Sequence, residues 1–151
     1  DVHLEAHRAI GQLLGDAGIV RCDADTAVAD GVTSVFFPHG IGHLLGLQVH
    51  DVAGLAASAA GGEIPRPAGH PFLRLTRVLE PGFVVTVEPG LYFIDLLLEA
   101  ARADGRGRHI DWDAVDRLKP FGGIRIEDDV VCTTDAPENL TRDAFAALSP
   151  S

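Results

Sequence analysis

The sequence predicts an α+β domain in which helices and strands are mixed without regular alternation. Apolar residues recur at nearly helical spacing over residues 2–14. A continuous apolar segment from Phe83 to Val87 follows a Pro81-Gly82 turn and predicts a buried strand. The 151 residues have the length of about one domain and contain no internal repeat.

Three helices are predicted. The first covers residues 2–14, and Asp1 stands where its side chain can cap the helix start. The second begins at Asp23 and runs to about Val35, with acidic residues in its first turn as the helix dipole prefers. A short third helix is expected over residues 111–118, and one side of it is formed by Trp112, Val115 and Leu118.

The remaining segments are interpreted as strands and loops. Residues 37–51 contain several glycines that disfavour a long helix, so a loop running into an extended segment is expected. Residues 54–71 are rich in Ala, Gly and Pro and predict a mobile loop over a site. Residues 91–101 are apolar and fit a strand or a helix. A last strand is predicted over residues 124–132.

The composition argues against several classes of function. The formal net charge is −10, whereas non-specific nucleic-acid binding needs Lys and Arg to displace counterions. No apolar segment approaches the roughly 18 residues that span a bilayer, and the first residues show no signal-peptide pattern. Cys22 and Cys132 are typical of free thiols in a reducing compartment. We therefore expect a cytoplasmic protein that binds neither nucleic acid nor membranes.

Three side chains are candidate ligands of a divalent metal ion. His39, His43 and His50 lie among glycines that let backbone and metal approach closely, and His43 is the first candidate. Glu88 ends the apolar strand, where a carboxylate without a partner would be costly to bury. Glu127 follows in the last predicted strand. An ion pair remains the alternative for each glutamate, but imidazole and carboxylate together suit Mn, Co, Fe or Zn.

Several motifs at once resemble a known family. Three of them follow each other along the chain: residues 37–51, residues 86–90 (Thr-Val-Glu-Pro-Gly) and residues 122–128 (Gly-Gly-Ile-Arg-Ile-Glu-Asp). They resemble the catalytic domain of the pita-bread metallopeptidases, which include creatinase, aminopeptidase P and prolidase. Residues 36–54, 70–77 and 120–128 are more specifically similar to the bacterial Xaa-Pro dipeptidases, and the similarity extends to about Arg142.

The resemblance implies a centre with two divalent metal ions, manganese being favoured and Co, Zn or Fe possible. His43 and Glu88 would bind one ion, and Glu127 would bridge both. A hydroxide activated by the two ions would attack the Xaa-Pro carbonyl carbon, with the ions acting as Lewis acids. The implied activity is hydrolysis of Xaa-Pro dipeptides.

The resemblance also assigns roles around the metal ions. His39 and His50 would act in catalysis by stabilising the negative charge on the scissile carbonyl, and His50 would also bind substrate. Glu88 would transfer a proton besides binding metal. Arg74 would pair with the free carboxylate of the dipeptide. Arg125 would assist substrate binding and orient the ligands.

The chain departs from the family pattern in one respect. The family also uses two metal-binding aspartates separated by ten residues, and no pair of aspartates in this sequence has that spacing. The sequence has no methionine and begins with Asp1. We therefore expect residues 1–151 to form the C-terminal half of a pita-bread catalytic domain, a curved and mainly antiparallel sheet with flanking helices. This half alone should be inactive. Its expected partners are the N-terminal part of the same enzyme and a second copy of the enzyme in a homodimer.

Other functions share the same residues. Pita-bread domains also serve as binding modules without metal. A pure binding module has no need of six of the candidate side chains together, and the chain retains them all: His39, His43, His50, Arg74, Glu88 and Glu127. Organophosphate hydrolysis would use the same metal site and stays open as a side activity. Cleavage of longer peptides is also possible, although the carboxylate-pairing role of Arg74 favours dipeptides.

Overall fold

The structure is a computed structural model that describes residues 1–148. Its helices are α1 Val2–Asp16, α2 Ala24–Ala29, α3 Thr33–Phe36, α4 Asp95–Ala103, α5 Trp112–Leu118 and α6 Leu140–Leu148. Its strands are β1 Ala56–Ser58, β2 Gly61–Glu63, β3 Val84–Val87, β4 Gly90–Tyr92, β5 Gly123–Arg125, β6 Asp128–Val131 and β7 Glu138–Asn139. The chain divides into two compact units: the first comprises residues 1–39 and 89–125, and the second comprises residues 40–88 and those from Ile126 onward.

Helix α1 supplies one wall of the core of the first unit. The predicted helix is confirmed and continues to Asp16. Its inner face is buried because apolar and aromatic side chains recur every three or four residues, and Leu14 is fully buried. Asp1 occupies the capping position, but its side chain makes no capping hydrogen bond, so this detail of the prediction is wrong.

The single helix expected from Asp23 to about Val35 is wrong, because the chain forms α2 and α3 with a break between them. Asp23 caps α2 by accepting a hydrogen bond from the Thr26 N–H at 2.8 Å, which lowers the pKa of this carboxyl. Gly31 has a φ of 71°, a conformation that stops a helix and that favours glycine. Helix α3 then begins at Thr33.

The segment that fitted either strand or helix contains both. Strands β4 and β5 pair antiparallel, with Gly90 opposite Arg125 and Tyr92 opposite Gly123. Helix α4 follows β4. The short helix predicted over residues 111–118 is confirmed as α5, although its buried side is formed by Ala114 and Val115 while Leu118 is partly exposed.

The second unit is organised around β3. Strand β6 pairs antiparallel with β3, from Val84 opposite Val131 to Val87 opposite Asp128, and β7 extends the sheet beyond β6. Helix α6 starts directly after β7, and the Thr141 hydroxyl accepts a hydrogen bond from the Asp129 N–H at 2.9 Å. The strand predicted at Phe83–Val87 is therefore confirmed as β3, which pairs with the middle strand β6 of this sheet.

Two predictions about the second half of the chain need correction. Residues 54–71, expected to be a loop, contain the hairpin of β1 and β2, in which Ala56 pairs with Glu63. The single strand expected over residues 124–132 is two strands, because β5 pairs with β4 while β6 pairs with β3. Ile126 and Glu127 connect them, so Glu127 lies outside a regular strand.

The predicted α+β class is confirmed. Every strand pair in residues 1–148 is antiparallel, and the strands form one three-stranded and two two-stranded sheets with helices beside them. Within the same residues, no helix is long and apolar enough to cross a membrane.

The cap of α5 makes a pH-dependent contribution to stability. Hydrogen bonds from the Ala114 N–H and then from Arg21 lower the pKa of Asp111. A carboxyl whose folded pKa is lowered stabilises the fold above its unfolded pKa, and this contribution is lost as pH falls. We expect the stability advantage of the wild-type chain over Asp111→Asn to decline below about pH 5. Urea unfolding at a series of pH values measures it, and a difference independent of pH would contradict this account.

Candidate metal centre

Residues 41–45 run antiparallel to β3, on the side of β3 opposite β6. Three N–H···O=C hydrogen bonds share one register: Leu45 to Val84 at 2.9 Å, Thr86 to His43 at 2.9 Å and Glu88 to Ile41 at 2.7 Å. This alternation is that of an antiparallel ladder, in which directly opposite residues share a face. The predicted loop running into an extended segment is confirmed.

Gly42 permits the close approach of this segment to β3. A Cβ atom at Gly42 would lie 1.8 Å from the carbonyl oxygen of Thr86, a distance that no side chain tolerates. The N–H of the next residue, His43, donates to the side-chain oxygen of Thr86 at 3.0 Å. The ladder therefore includes one hydrogen bond to a side chain, at the position of the first candidate ligand.

The surroundings of His43 define which ring nitrogen is available. The side chain is 3% exposed, and its Nδ1 lies 3.1 Å from the carbonyl oxygen of Leu44. A carbonyl oxygen only accepts, so Nδ1 donates to it, and Nε2 is the ring nitrogen left to bind a metal ion. Nε2 lies 3.5 Å from Oε1 of Glu88. A ring nitrogen anchored on a carbonyl while the other faces a carboxylate is the usual arrangement of a metal-binding histidine.

The strand register brings the two candidate glutamates together. Continuing the pairing of β3 and β6 by one residue past Val87 and Asp128 places Glu88 opposite Glu127. One ligand atom from each of His43, Glu88 and Glu127 lies within 4.8 Å of the other two. An imidazole and two carboxylates without thiolate form a donor set that fits Mn, Fe, Co or Zn.

The chain after Glu127 is anchored by side-chain hydrogen bonds. Asp128 accepts from the Asn139 amide at 3.0 Å and from Nε of Arg142 at 2.8 Å. These hydrogen bonds, with that from Asn139 the larger cause, lower the pKa of Asp128. Because Asn139 also caps α6 through the Arg142 N–H, the start of α6 holds β6 directly beside Glu127.

His50 lies against the first candidate ligand. Its ring packs edge-on to that of His43, with centroids 4.4 Å apart. The connection between them is a short loop closed by the Asp51 N–H, which donates to the carbonyl of Leu44 at 3.1 Å. A Cβ atom at Gly46 would lie 2.3 Å from the Asp51 carboxylate, so a larger residue there would make this side chain shift. His50 itself is exposed.

The remaining candidate residues, His39, Arg74 and Arg125, are not part of the group formed by His43, Glu88 and Glu127. His39 and Arg125 belong to the first unit. Nε2 of His39 lies 2.9 Å from the hydroxyl of Tyr92, and Arg125 is the exposed last residue of β5. Arg74 belongs to the second unit, on the connection between β2 and β3, and its side chain is exposed.

Sequence reasoning missed two residues that contact the candidates. Thr86 contacts both His43 and Glu88 through its hydroxyl, and Tyr92 contacts His39. The position of Thr86 two residues before Glu88 was a usable signal, because alternate residues of a strand share a face. Nothing local in the sequence indicates the Tyr92 contact, which joins residues 53 positions apart.

Comparison with known proteins defines the family. Metallopeptidase family M24 matches residues 1–134 of the chain, and the chain belongs to that family. It is 60% identical over 148 residues to a protein named Xaa-Pro dipeptidase from Stenotrophomonas maltophilia strain K279a. It is 59% identical over 146 residues to one of the same name from Xanthomonas campestris pv. campestris strain B100. The matches cover 98% and 97% of this chain but 33% of each relative, so the chain spans about a third of their length.

Solved structures agree with this assignment. Pseudomonas aeruginosa aminopeptidase PepP superposes with a TM-score of 0.62 at 33% identity, covering 94% of this chain and 25% of that one. Zinc-substituted Escherichia coli aminopeptidase P in complex with product superposes with a TM-score of 0.56 at 35% identity, covering 93% of this chain and 24% of that one. The chain thus folds like part of these pita-bread aminopeptidases, as the resemblance implied.

Gly42→Ala tests the pairing of residues 41–45 with β3. The added Cβ atom collides with a backbone oxygen, so we expect a loss of about 1–3 kcal/mol in unfolding free energy, or more. Gly15→Ala is the matched control, because Gly15 lies in α1 with nothing within 4 Å of the added atom. The control should be stabilised by about 0.5–1 kcal/mol. Denaturant unfolding measures both, and an unaffected Gly42→Ala chain would contradict the close approach.

Proposed function

We propose that this chain contributes half of the metal centre of an enzyme that hydrolyses Xaa-Pro dipeptides. The observation that carries the proposal is the convergence of His43, Glu88 and Glu127 on one face of the sheet around β3. The identity to proteins named Xaa-Pro dipeptidase supports the substrate class. Residues 1–151 would then be the C-terminal part of the catalytic domain.

The donor set favours a divalent cation at this face. Two carboxylates at close range repel each other, and a cation between them removes that repulsion. His43 and Glu88 would hold one ion, with Glu127 bridging to a second; manganese is our first choice, and zinc, cobalt or iron would fit the same ligands. When bound, such ions polarise a carbonyl and lower the pKa of water.

The protein residues would position the substrate and move protons. His50, beside His43, would donate a hydrogen bond to the oxygen of the scissile carbonyl, and His39 would have the same role. Glu88 would accept a proton from the attacking water and return it to the leaving proline nitrogen. Arg74 would bind the substrate carboxylate, and Arg125 would orient substrate and ligands.

The second ion would have only Glu127 from this chain. Three ligands, one of them shared, give an open shell that binds metal weakly, because few negative groups offset dehydration. We therefore propose that the remaining ligands are aspartates from the part of the enzyme that corresponds to the other two thirds of its relatives. The working enzyme would be a cytoplasmic homodimer, and the 151-residue chain alone would be inactive.

A segment exchange tests this proposal. In the Stenotrophomonas maltophilia dipeptidase, this chain would replace the 148-residue segment that it matches. We expect the chimera to hydrolyse Xaa-Pro dipeptides with added manganese, and His43→Ala to lower kcat/KM by more than about 100-fold. Glu63→Gln, at an exposed position of β2, is the control and should change kcat/KM by less than about twofold.

Two outcomes of the exchange would count against the proposal. A well-folded chimera without dipeptidase activity would remove the assignment of substrate class. Appreciable turnover by the 151-residue chain alone would refute the need for ligands from outside it.

Arg74→Ala tests how substrate length is selected. A charge-assisted hydrogen bond to a carboxylate contributes about 1.5–3 kcal/mol, so we expect kcat/KM for a free dipeptide to fall about 10–100-fold in the chimera. The amidated dipeptide, which has no carboxylate, is the matched control and should be cleaved equally by both forms. An equal loss on both substrates would show that Arg74 acts on folding or on the reaction centre instead.

A further inference from the structure

We propose that the hydroxyl of Thr86 is a positioning group of the metal centre, which sets the main chain of His43 and the carboxylate of Glu88 relative to each other. The inference deepens the proposed function and depends on it. Thr86 is not one of the three candidate ligands, and its hydroxyl contacts two of them, His43 and Glu88.

The direction of both hydrogen bonds follows from the chemistry of the partners. The N–H of His43 can only donate, so Oγ1 of Thr86 accepts from it at 3.0 Å. That bond uses a lone pair of Oγ1, so the hydroxyl keeps its proton and donates it to Oε1 of Glu88 at 3.2 Å. One hydroxyl therefore joins the two candidate ligands: it accepts from the main chain of His43 and donates its proton to the carboxylate of Glu88.

The ladder geometry makes this contact possible. Thr86 lies opposite His43 and two residues before Glu88, so all three side chains share a face. Gly42 lies against the main-chain carbonyl of Thr86, and the N–H of the next residue, His43, donates to the hydroxyl of Thr86. A hydroxyl on the β-carbon has the reach for both contacts, and Thr and Ser are the residues that carry one.

The side chain of Thr86 is buried, so the loss of its hydrogen bonds would not be compensated by water. Thr86 is 3% exposed and His43 is 3% exposed, so water would not readily replace a lost hydroxyl. Removing it leaves the buried N–H of His43 without this acceptor and leaves Oε1 of Glu88 without this donor. Loss of such an orienting hydrogen bond beside a metal ligand weakens metal binding about 10–100-fold.

Zinc titration of the 151-residue chain tests the inference. Zn²⁺ is used because it binds N/O sites more tightly than Mn²⁺, which suits an open shell. The chain has 7 histidines that provide background binding, so only the calorimetric component that is lost in His43→Ala is assigned to the centre. Thermal unfolding without metal shows whether each variant is folded.

Matched substitutions separate the hydroxyl from its surroundings. Thr86→Val keeps the shape and removes the hydroxyl, and we expect about 10–100-fold weaker binding of Zn²⁺. Thr86→Ser keeps the hydroxyl and should bind within about threefold of wild type. Thr76→Val is the control, because it removes a hydroxyl that donates to the Ile64 carbonyl at 2.7 Å in the same unit; its zinc affinity should be unchanged.

Each outcome decides the inference. If Thr86→Val is unfolded, Thr86→Ser and Thr86→Ala, which differ only in the hydroxyl, provide the comparison and should differ by the same factor. Equal zinc affinity with and without the hydroxyl overturns the positioning role but leaves the proposed metal centre intact. If wild type and His43→Ala bind zinc alike, the metal centre itself is wrong, and the role of Thr86 is wrong with it.

Discussion

Main-chain pairing between residues 41–45 and β3 is the constraint on which the candidate site depends. The chain between the two segments contains a hairpin and a long connection, yet three hydrogen bonds in one register place His43 opposite Thr86. Because the side chains of directly opposite residues share a face, the register also sets His43 beside Glu88. A shift by one residue would turn the ligands to the other face.

The pairing of β3 with β6 adds the third ligand by the same logic. Glu88 and Glu127 are each one residue beyond the last pair of that ladder, where Val87 is opposite Asp128. Two carboxylates are therefore brought together by backbone hydrogen bonds rather than by attraction between their side chains. In this arrangement the fold supplies the free energy that holds like charges close, and a bound cation offsets their repulsion.

The sequence predicted the features that depend on local pattern. Residues 2–14 gave a helix because their apolar spacing is helical, and residues 83–87 gave a strand because they are continuously apolar and follow a turn. The breaks were harder to predict. Gly31 divides the second helix through a positive φ, and the last strand divides because its halves pair with different partners, which no local pattern records.

In the candidate site, too, the features that depend on local sequence were predicted and those that depend on distant contacts were not. His43, Glu88 and Glu127 were identified from residue type and motif, and the structure brings their ligand atoms within 4.8 Å. The group that lies between two of them, the Thr86 hydroxyl, was missed because threonine is common in strands and its role depends on a partner 43 residues away. Contacts between distant segments are set by strand register, and register is a property of the whole sheet.

The most direct test of the central claim is anomalous X-ray diffraction from crystals of the 151-residue chain grown with zinc. We expect an anomalous peak about 2.0–2.2 Å from Nε2 of His43 and from a carboxylate oxygen of Glu88 and of Glu127. A well-ordered site in which these three side chains surround no anomalous peak, while zinc is bound at other histidines, would contradict it.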